Sequence, residues 1–375
     1  MAKVIFLQRI WYEYGGPEII AAILKKYGHQ VDLLIGKDAT AFLKHIHPND
    51  IIAFSTMSGE HHWALKVASQ IKKVKNVLTV FGGPHPTYFP VIINHPAVDV
   101  ACCGEGELSM LDLANAHDKG VDYSDIPNFS VKDGTRIKRN EVRPLISDLD
   151  TLPFPDREIY YKYRFLRSAS LKPFMASRGC PFSCSFCFNP KLQEMYKAKG
   201  RHIRFRSPQN IIEEIKMVKN NYTLKTVFFA DDIFVLNKNW LKEFLPLYKK
   251  EISLPFTCDG RADILDEQTI DLLCDAHCFC VRFGIESGNE QIRNRKFMTY
   301  NMVGIPEETI ENAFETVELN IKIKTNYPRC SILTPYPGTE IAEYAAQRKL
   351  LEVNPNEILA SSQQHESIVK SEYKN

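Results

Sequence analysis

Two successive series of alternating strand-like and helix-like segments run through this 375-residue chain, and they leave little room for anything but parallel sheets covered by helices. In the first series VIFLQ, VDLLI, IIAFS, VLTVF and VDVACC are short apolar runs of the kind a strand buried on both faces requires. Helix-period segments lie between them near residues 17–27, 40–47 and 61–73. This rhythm predicts a doubly wound α/β domain whose ligands sit at the carboxyl ends of the strands. From Lys172 a second series begins, with KPFMAS, TVFFA, PFTCD, FCVRFGIE, FMTYNMVG and RCSILT as strands and helices over 210–220 and 239–249. Six strands in βα order predict a partial (β/α)6 barrel. Between Val121 and Phe165 the periodicity lapses into a hairpin turning at Asp133-Gly134 and an extended connector at Leu152-Pro153-Phe154-Pro155-Asp156. The expected division is a first domain over 1–120, hairpin and linker over 121–165, the barrel over 166–350 and a tail over 351–375.

Hydrophobic side chains make up 44% of the chain, enough for two ordinary cores. Forty-seven basic residues against 45 acidic ones, with no block of like charges, argue against a nucleic-acid partner. No stretch approaches about 18 uninterrupted apolar residues, so no membrane span is expected. The start, MAKVIFLQRIWYEYGG, lacks a small-residue cleavage site, and a cytoplasmic location is expected. Ten cysteines kept reduced there point to metal or catalytic use of some of them rather than to a disulfide framework.

The loops after the third, fourth and fifth strands of the first domain read Ser55-Thr56-Met57-Ser58-Gly59, Gly82-Gly83-Pro84-His85-Pro86-Thr87 and Gly104-Glu105-Gly106-Glu107. Each alone could be a tight βα turn. Three such loops on one edge, made of residues small enough for a flat ligand to reach the backbone, point instead to a binding site.

In the barrel half, Arg178-Gly179-Cys180-Pro181-Phe182-Ser183-Cys184-Ser185-Phe186-Cys187 puts three thiolates in one loop after the first strand. Three thiolates on a four-iron cube leave one iron without a protein ligand, where chemistry can occur. A structural zinc would want a fourth Cys or His at nearby, regular spacing, and none follows within a dozen residues.

This CxxxCxxC loop, with an aromatic before its last cysteine, resembles the signature of the radical S-adenosylmethionine superfamily. The resemblance extends through Arg206-Ser207-Pro208, Phe229-Ala230-Asp231-Asp232, Gly284-Ile285-Glu286-Ser287-Gly288, Gly304-Ile305-Pro306-Glu307-Glu308-Thr309 and Pro335-Tyr336-Pro337-Gly338-Thr339. These are similar to successive strand ends of the cobalamin-binding branch, and GGPHPT and GEGE are similar to its cobalamin domain. What the resemblance implies is a Rossmann-like cobalamin-binding domain ahead of a partial radical S-adenosylmethionine barrel. It implies a [4Fe-4S] cluster on Cys180, Cys184 and Cys187, with the amino and carboxylate groups of S-adenosylmethionine on the fourth iron. Cleavage of the sulfonium would give a 5′-deoxyadenosyl radical that abstracts hydrogen from a substrate. It further implies cobalamin over Ser55, Thr56, Met57, Ser58, Gly59, Gly82, Gly83, His85, Pro86, Gly104, Glu105, Gly106 and Glu107, and S-adenosylmethionine against Phe186, Asp231, Asp232, Arg261, Glu286 and Ser287.

Asp231, Asp232 and Glu286 fall at the carboxyl ends of barrel strands, where parallel barrels carry their sites. Each carboxylate could accept from a ribose hydroxyl or the methionine ammonium, or simply cap the next helix. Asp259 and Arg261, at the end of the third barrel strand, could reach substrate or cofactor. No Asp-x-His-x-x-Gly string occurs in residues 1–120, so cobalt should have no histidine from that motif. His85 could touch the corrin or be an ordinary loop residue, and His61 and His62 read as surface residues. Cys278 and Cys280 alternate with Phe279 and Val281 and read as small hydrophobes of the barrel wall, as do Cys102 and Cys103 at a strand end.

Only about ten residues separate Glu286 from Phe297, whereas a parallel crossover takes a dozen or more, usually with a helix. Residues missing near Arg293 to Lys296 are therefore expected, an unbroken connection being a real five-helix variant. The stretch ending in Ser371-Glu372-Tyr373-Lys374-Asn375 reads short for this branch, which often carries a further domain. The leading functional reading is a cobalamin-dependent radical methylase acting on an unactivated carbon of a small-molecule or natural-product substrate through the adenosyl radical and methylcobalamin, with flavodoxin or ferredoxin as electron donor. A radical cyclase or rearranging enzyme using cobalamin in a redox role is the alternative. A non-catalytic cobalamin sensor has no use for an open iron, and a transfer-RNA-modifying relative would want a basic RNA-binding module.

Overall fold

The structure is a computed structural model that describes residues 1–134, 136–284, 297–325, 327–352 and 368–370. Two compact units divide the chain: Met1–Ile146 with Thr151–Arg167 and Lys191–Gly200, and Ser147–Asp150 with Ser168–Pro190 and Arg201–Asn375.

The first unit runs β1 (Lys3–Gln8), α1 (Gly15–Lys26), β2 (Gln30–Ile35), α2 (Thr40–Leu43), β3 (Ile51–Ser55), α3 (Glu60–Lys72), β4 (Leu78–Gly82), α4 (Pro84–Tyr88), β5 (Val100–Cys102), α5 (Glu107–Lys119), β6 (Phe129–Asp133) and β7 (Arg136–Arg139). One seven-stranded sheet in the order β2-β1-β3-β4-β5-β6-β7 forms its centre. The first five strands are parallel, as their apolar runs require, and both faces are buried, Ile5, Leu7, Phe54 and Phe81 lying on one and Val4, Phe6, Ala53 and Val80 on the other. The hairpin set apart as a connector in the sequence instead extends this sheet, β6 pairing antiparallel with β5 and β7 with β6. Helix α2 is a single turn, shorter than the predicted segment over 40–47. Two short helices, α6 (Glu158–Tyr161) and α7 (Arg164–Ser168), follow the connector. In the first of them Tyr160 donates to Gln8 Oε1 at 2.7 Å and Tyr161 to Glu13 Oε2 at 3.1 Å, fastening the connector to the β1 end of the sheet.

The second unit contains β8 (Leu171–Phe174), β9 (Ser177–Arg178), α8 (Asn189–Met195, which crosses into the first unit), β10 (Arg204–Phe205), α9 (Pro208–Asn221), β11 (Thr226–Phe229), α10 (Lys238–Glu251), β12 (Phe256–Asp259), α11 (Glu267–Asp275), β13 (Cys278–Gly284), β14 (Phe297–Val303), α12 (Ile310–Lys322), β15 (Tyr327–Ile332) and α13 (Glu340–Gln347). Six strands pair in parallel in the order β15-β14-β13-β12-β11-β8, the partial barrel that the apolar runs predict. Its helices start where the chemistry of the caps says they should. Ser207 precedes Pro208 and accepts the Asn210 amide, Asn237 accepts that of Trp240 at 3.1 Å, and Asp266 that of Thr269 at 2.9 Å. An aromatic cluster of Phe229, Phe234, Phe244, Tyr248 and Phe256 fills the space between strands and helices. Strands β13 and β14 lie in parallel register, Gly284 beside Tyr300. The connection between them, and with it the expectation of missing residues near Arg293 to Lys296, lies outside the described residues.

Candidate functional site

In the first unit the three sequence-predicted loops meet on one rim, because β3, β4 and β5 are parallel neighbours and end in register, Ser55 beside Gly82 and Phe81 beside Ala101. The loops are knitted by backbone bonds. Thr56 N–H donates to the Gly82 carbonyl at 2.8 Å, His85 N–H to the Thr56 carbonyl at 2.9 Å, and Gly104 N–H to Thr87 Oγ1 at 3.0 Å. Gly83 has φ 90° and ψ −168°, a conformation essentially confined to glycine, and a Cβ there would lie 3.0 Å from both Ser55 Oγ and the Thr56 nitrogen. Met57 projects from this rim, 47% exposed. Gly106 precedes α5, whose first residue, Glu107, is buried, and Pro86 is buried in α4.

His85 is buried, accepts or donates at Nδ1 with Ser58 Oγ at 3.0 Å, and stacks on His61 with ring centroids 3.7 Å apart. The placement of His61 corrects the surface reading: only 6% exposed, it accepts the Gly59 amide at 3.0 Å because α3 begins at Glu60 and turns this face inward. His62, next along the helix, is exposed. Burial, and then the neighbouring imidazoles, push the pKa of His61 down to about 4 and that of His85 to about 3, so both rings are neutral at ordinary pH.

In the second unit the thiols of Cys180, Cys184 and Cys187 share one loop, Cys180 buried and the other two half-buried. Gly179 sets its entry at φ 92°. The antiparallel β9–β10 pair brings the His202 carbonyl so near that a Cβ on residue 179 would be 2.3 Å from it. Asp231, at the end of β11, is fully buried and accepts the Ser177 hydroxyl at 2.5 Å, the Ala176 amide at 3.3 Å and the Ser177 amide. Burial nonetheless raises its pKa to about 7. Its carboxylate thus holds the strand that enters the cysteine loop. Asp232 beside it is exposed.

Donors converge on the sulfurs. Arg261 Nη1 lies 3.5 Å from Cys184 Sγ while its guanidinium covers the Phe182 ring at 3.9 Å and pairs with Asp263. The Asn189 backbone and side-chain amides point at Cys187 Sγ from 3.4 and 3.6 Å. The last motif, around Tyr336, returns to the same loop. Phe188 and Tyr336 rings are 5.3 Å apart, and the Ile341 amide in the first turn of α13 donates to the Ser185 carbonyl at 3.2 Å. Phe186 is 39% exposed. Glu286 and Ser287 lie outside the described residues.

This donor set fits an iron–sulfur cluster. Three thiols lie in one loop with cationic and amide donors aimed at two of the sulfurs, the arrangement that stabilises anionic thiolates and tunes a cluster. Among the described residues no three His, Cys, Asp or Glu side chains converge on a single point as one metal ion would require.

The barrel mouth holds a pair that the sequence did not reveal as such: Arg282 Nη2 is 2.5 Å from Asp259 Oδ2, and its guanidinium covers Phe228 at 3.8 Å with Tyr300 at 5.8 Å. The register of β12 and β13 sets Asp259 beside Arg282, information that no local spacing carries. Asn189 was missed for a related reason, since an asparagine after the signature has no spacing rule of its own. Of the other cysteines, Cys102, Cys258 and Cys280 are buried, Cys103, Cys274 and Cys278 half-buried, and Cys330 exposed.

Residues 175–346 match the model of the radical SAM superfamily, and residues 15–114 that of the B12 binding domain. An uncharacterised methyltransferase of Pyrococcus horikoshii is 30% identical over 92% of this chain and 82% of its own length. The anaerobic magnesium-protoporphyrin IX monomethyl ester cyclase of Rubrivivax gelatinosus is 25% identical over 74% of the chain, which spans about half, 54%, of that enzyme. The fold resembles that of the radical S-adenosylmethionine methyltransferase TsrM of Kitasatospora setae, with TM-score 0.74, 17% identity, and coverage of 94% of this chain and 78% of that one. Its cofactors are accordingly a [4Fe-4S] cluster, S-adenosylmethionine and cobalamin. The chain belongs to the radical S-adenosylmethionine superfamily, among the members that carry a cobalamin-binding domain ahead of the barrel.

Proposed function

We propose that the chain is a methylase that transfers a methyl group to an unactivated carbon of a small molecule, with Cys180, Cys184 and Cys187 holding the cluster and the rim of the first sheet holding cobalamin. The observation that carries this reading is the 30% identity, over 92% of the chain, to a protein named as a methyltransferase. When bound, the cluster with S-adenosylmethionine supplies a 5′-deoxyadenosyl radical and cobalamin supplies the methyl group. The protein's part is position and exclusion of water. Arg261 and Asn189 place positive dipoles on the cysteine sulfurs, and Asp231 fixes the strand that enters their loop. Phe186 is available to pack against S-adenosylmethionine, and Asp232 to accept from its hydroxyl or ammonium groups, with Glu286 and Ser287 in the same role from the motif beyond β13. Arg282, neutralised by Asp259 and flanked by Phe228 and Tyr300, offers a planar donor to a polar group of the substrate. Small size of the substrate agrees with the balance of 47 basic and 45 acidic residues, which offers no electrostatic footprint for a nucleic acid. No described helix is long and apolar enough to cross a membrane. A cytoplasmic site of action with flavodoxin or ferredoxin as reductant completes the proposal.

Identity to the magnesium-protoporphyrin cyclase favours a second reading, ring closure with cobalamin in a redox role. The two are separated by products. Anaerobic, reconstituted protein given cobalamin, reductant and S-adenosylmethionine should release both 5′-deoxyadenosine and S-adenosylhomocysteine, because each methyl transfer consumes one S-adenosylmethionine for the radical and one for the methyl. Deoxyadenosine without S-adenosylhomocysteine would overturn methyl transfer in favour of the cyclase reading.

A further inference from the structure

Tyr196 follows Cys187 by nine positions in the chain, yet it folds with the first unit, where the segment Lys191–Gly200 belongs. Its ring is 3% exposed. Its phenolic oxygen accepts the Glu105 amide at 2.8 Å and the Asn128 side-chain amide at 3.5 Å. Asn128, buried at φ 72°, also donates to the Cys103 carbonyl at 2.8 Å and accepts the Arg143 amide at 3.1 Å. Gly104, at φ 76°, packs against the phenol so closely that a Cβ there would stand 1.9 Å from the hydroxyl oxygen. The segment continues to hold the unit beyond this point, the Leu145 amide donating to the Lys199 carbonyl at 2.7 Å.

These contacts converge on one loop, residues 103–107, the third of the rim. The first two loops hold each other through Thr56, Gly82 and His85, and Thr87 reaches the third through the Gly104 amide. The Glu105 amide, by contrast, is satisfied from outside the rim, by a side chain that core packing alone does not explain: a phenylalanine would fill the same space, and only the hydroxyl can accept that N–H. We infer that Tyr196 is a positioning residue for cobalamin, holding residues 104–107 in the conformation that receives the corrin; the inference rests on the assignment of that rim to cobalamin.

Loss of one buried acceptor leaves the Glu105 amide unsatisfied and frees the loop to leave this conformation. Full-length Tyr196→Phe titrated with hydroxocobalamin, followed by corrin absorbance and tryptophan fluorescence, should show a Kd raised roughly three- to tenfold. Iron and sulfide per chain should match wild type, and amides 103–107 should exchange faster in the cobalamin-free variant. An unchanged Kd would reduce Tyr196 to a structural residue and overturn the inference while leaving the cofactor assignment intact. A wild-type protein that fails to bind hydroxocobalamin would overturn both. Should the variant not fold, hydrogen exchange on wild type decides: hydroxocobalamin is expected to slow exchange in 103–107 and 194–198 together, and protection confined to 55–59 and 82–87 would contradict it.

Discussion

The rim of the first sheet and the cysteine loop of the barrel, proposed above as the two cofactor sites, are held in place by different means. The first two loops of the rim are fixed by backbone bonds to each other, from Thr56 to Gly82 and from His85 to Thr56, so their shape follows from strand register. In the cysteine loop the Cys187 amide donates to the Cys184 carbonyl, and the loop leans on its surroundings: Asp231 behind its entry, Arg261 and Asn189 against its sulfurs, α13 at its far side. On the assignment proposed above, the difference implies that the first two loops of the cobalamin rim are preorganised by the fold, whereas the cysteine loop acquires its final order together with the cluster, as metal sites commonly do.

Removing a cluster ligand should have the largest effect of all. Cys184→Ala is expected to lose most of its iron and all detectable deoxyadenosine formation while keeping wild-type affinity for hydroxocobalamin; simultaneous loss of both cofactors would break the distinction between the two sites. The glycines that shape each site give the next contrast. At Gly179 a Cβ meets a fixed backbone carbonyl at 2.3 Å, at Gly83 atoms at 3.0 Å, and both have positive φ. Gly83→Ala should cost about 1–3 kcal/mol of stability from backbone strain, read by chemical denaturation, and weaken cobalamin binding. Gly179→Ala should cost more than that and lower iron loading instead; the reverse assignment of the two defects would contradict the account.

The smallest expected effect is a pH dependence confined to the rim. His61 and His85 are held neutral in the folded protein, at about 4 and about 3 against 6.5 when exposed. At this pair the unfolded chain therefore binds more protons than the folded one below 6.5, and the pair's contribution to stability is full above that pH and declines as pH falls toward 4. Replacing His85 by Gln should flatten this decline in urea-unfolding measurements made between pH 7 and 5. An unaltered slope would mean that the stacked pair does not set it.

How much of this could be read from the sequence depended on whether the information was local. The cysteine loop was legible because three thiolates within eight residues suit few other purposes, and the rim because small residues after buried strands mark a ligand edge. His61 was misread, since a pair of histidines at a helix start gives no sign of which one turns inward. The Asp259–Arg282 pair, the contact of Phe188 with Tyr336 and the hydroxyl of Tyr196 against Glu105 all join residues distant in the chain, through sheet register or through a segment that folds with the other unit. The hairpin at Asp133 was correctly placed as a turn, but its membership in the first sheet depends on pairing with β5, which no local pattern encodes.

The central claim, one chain carrying two distinct metal cofactors at two separately built sites, is tested most directly by metal analysis of anaerobically reconstituted protein after removal of unbound cofactor. The account predicts about four iron atoms with matching sulfide and about one cobalt per chain. A single zinc in place of iron, or iron without cobalt, would contradict it.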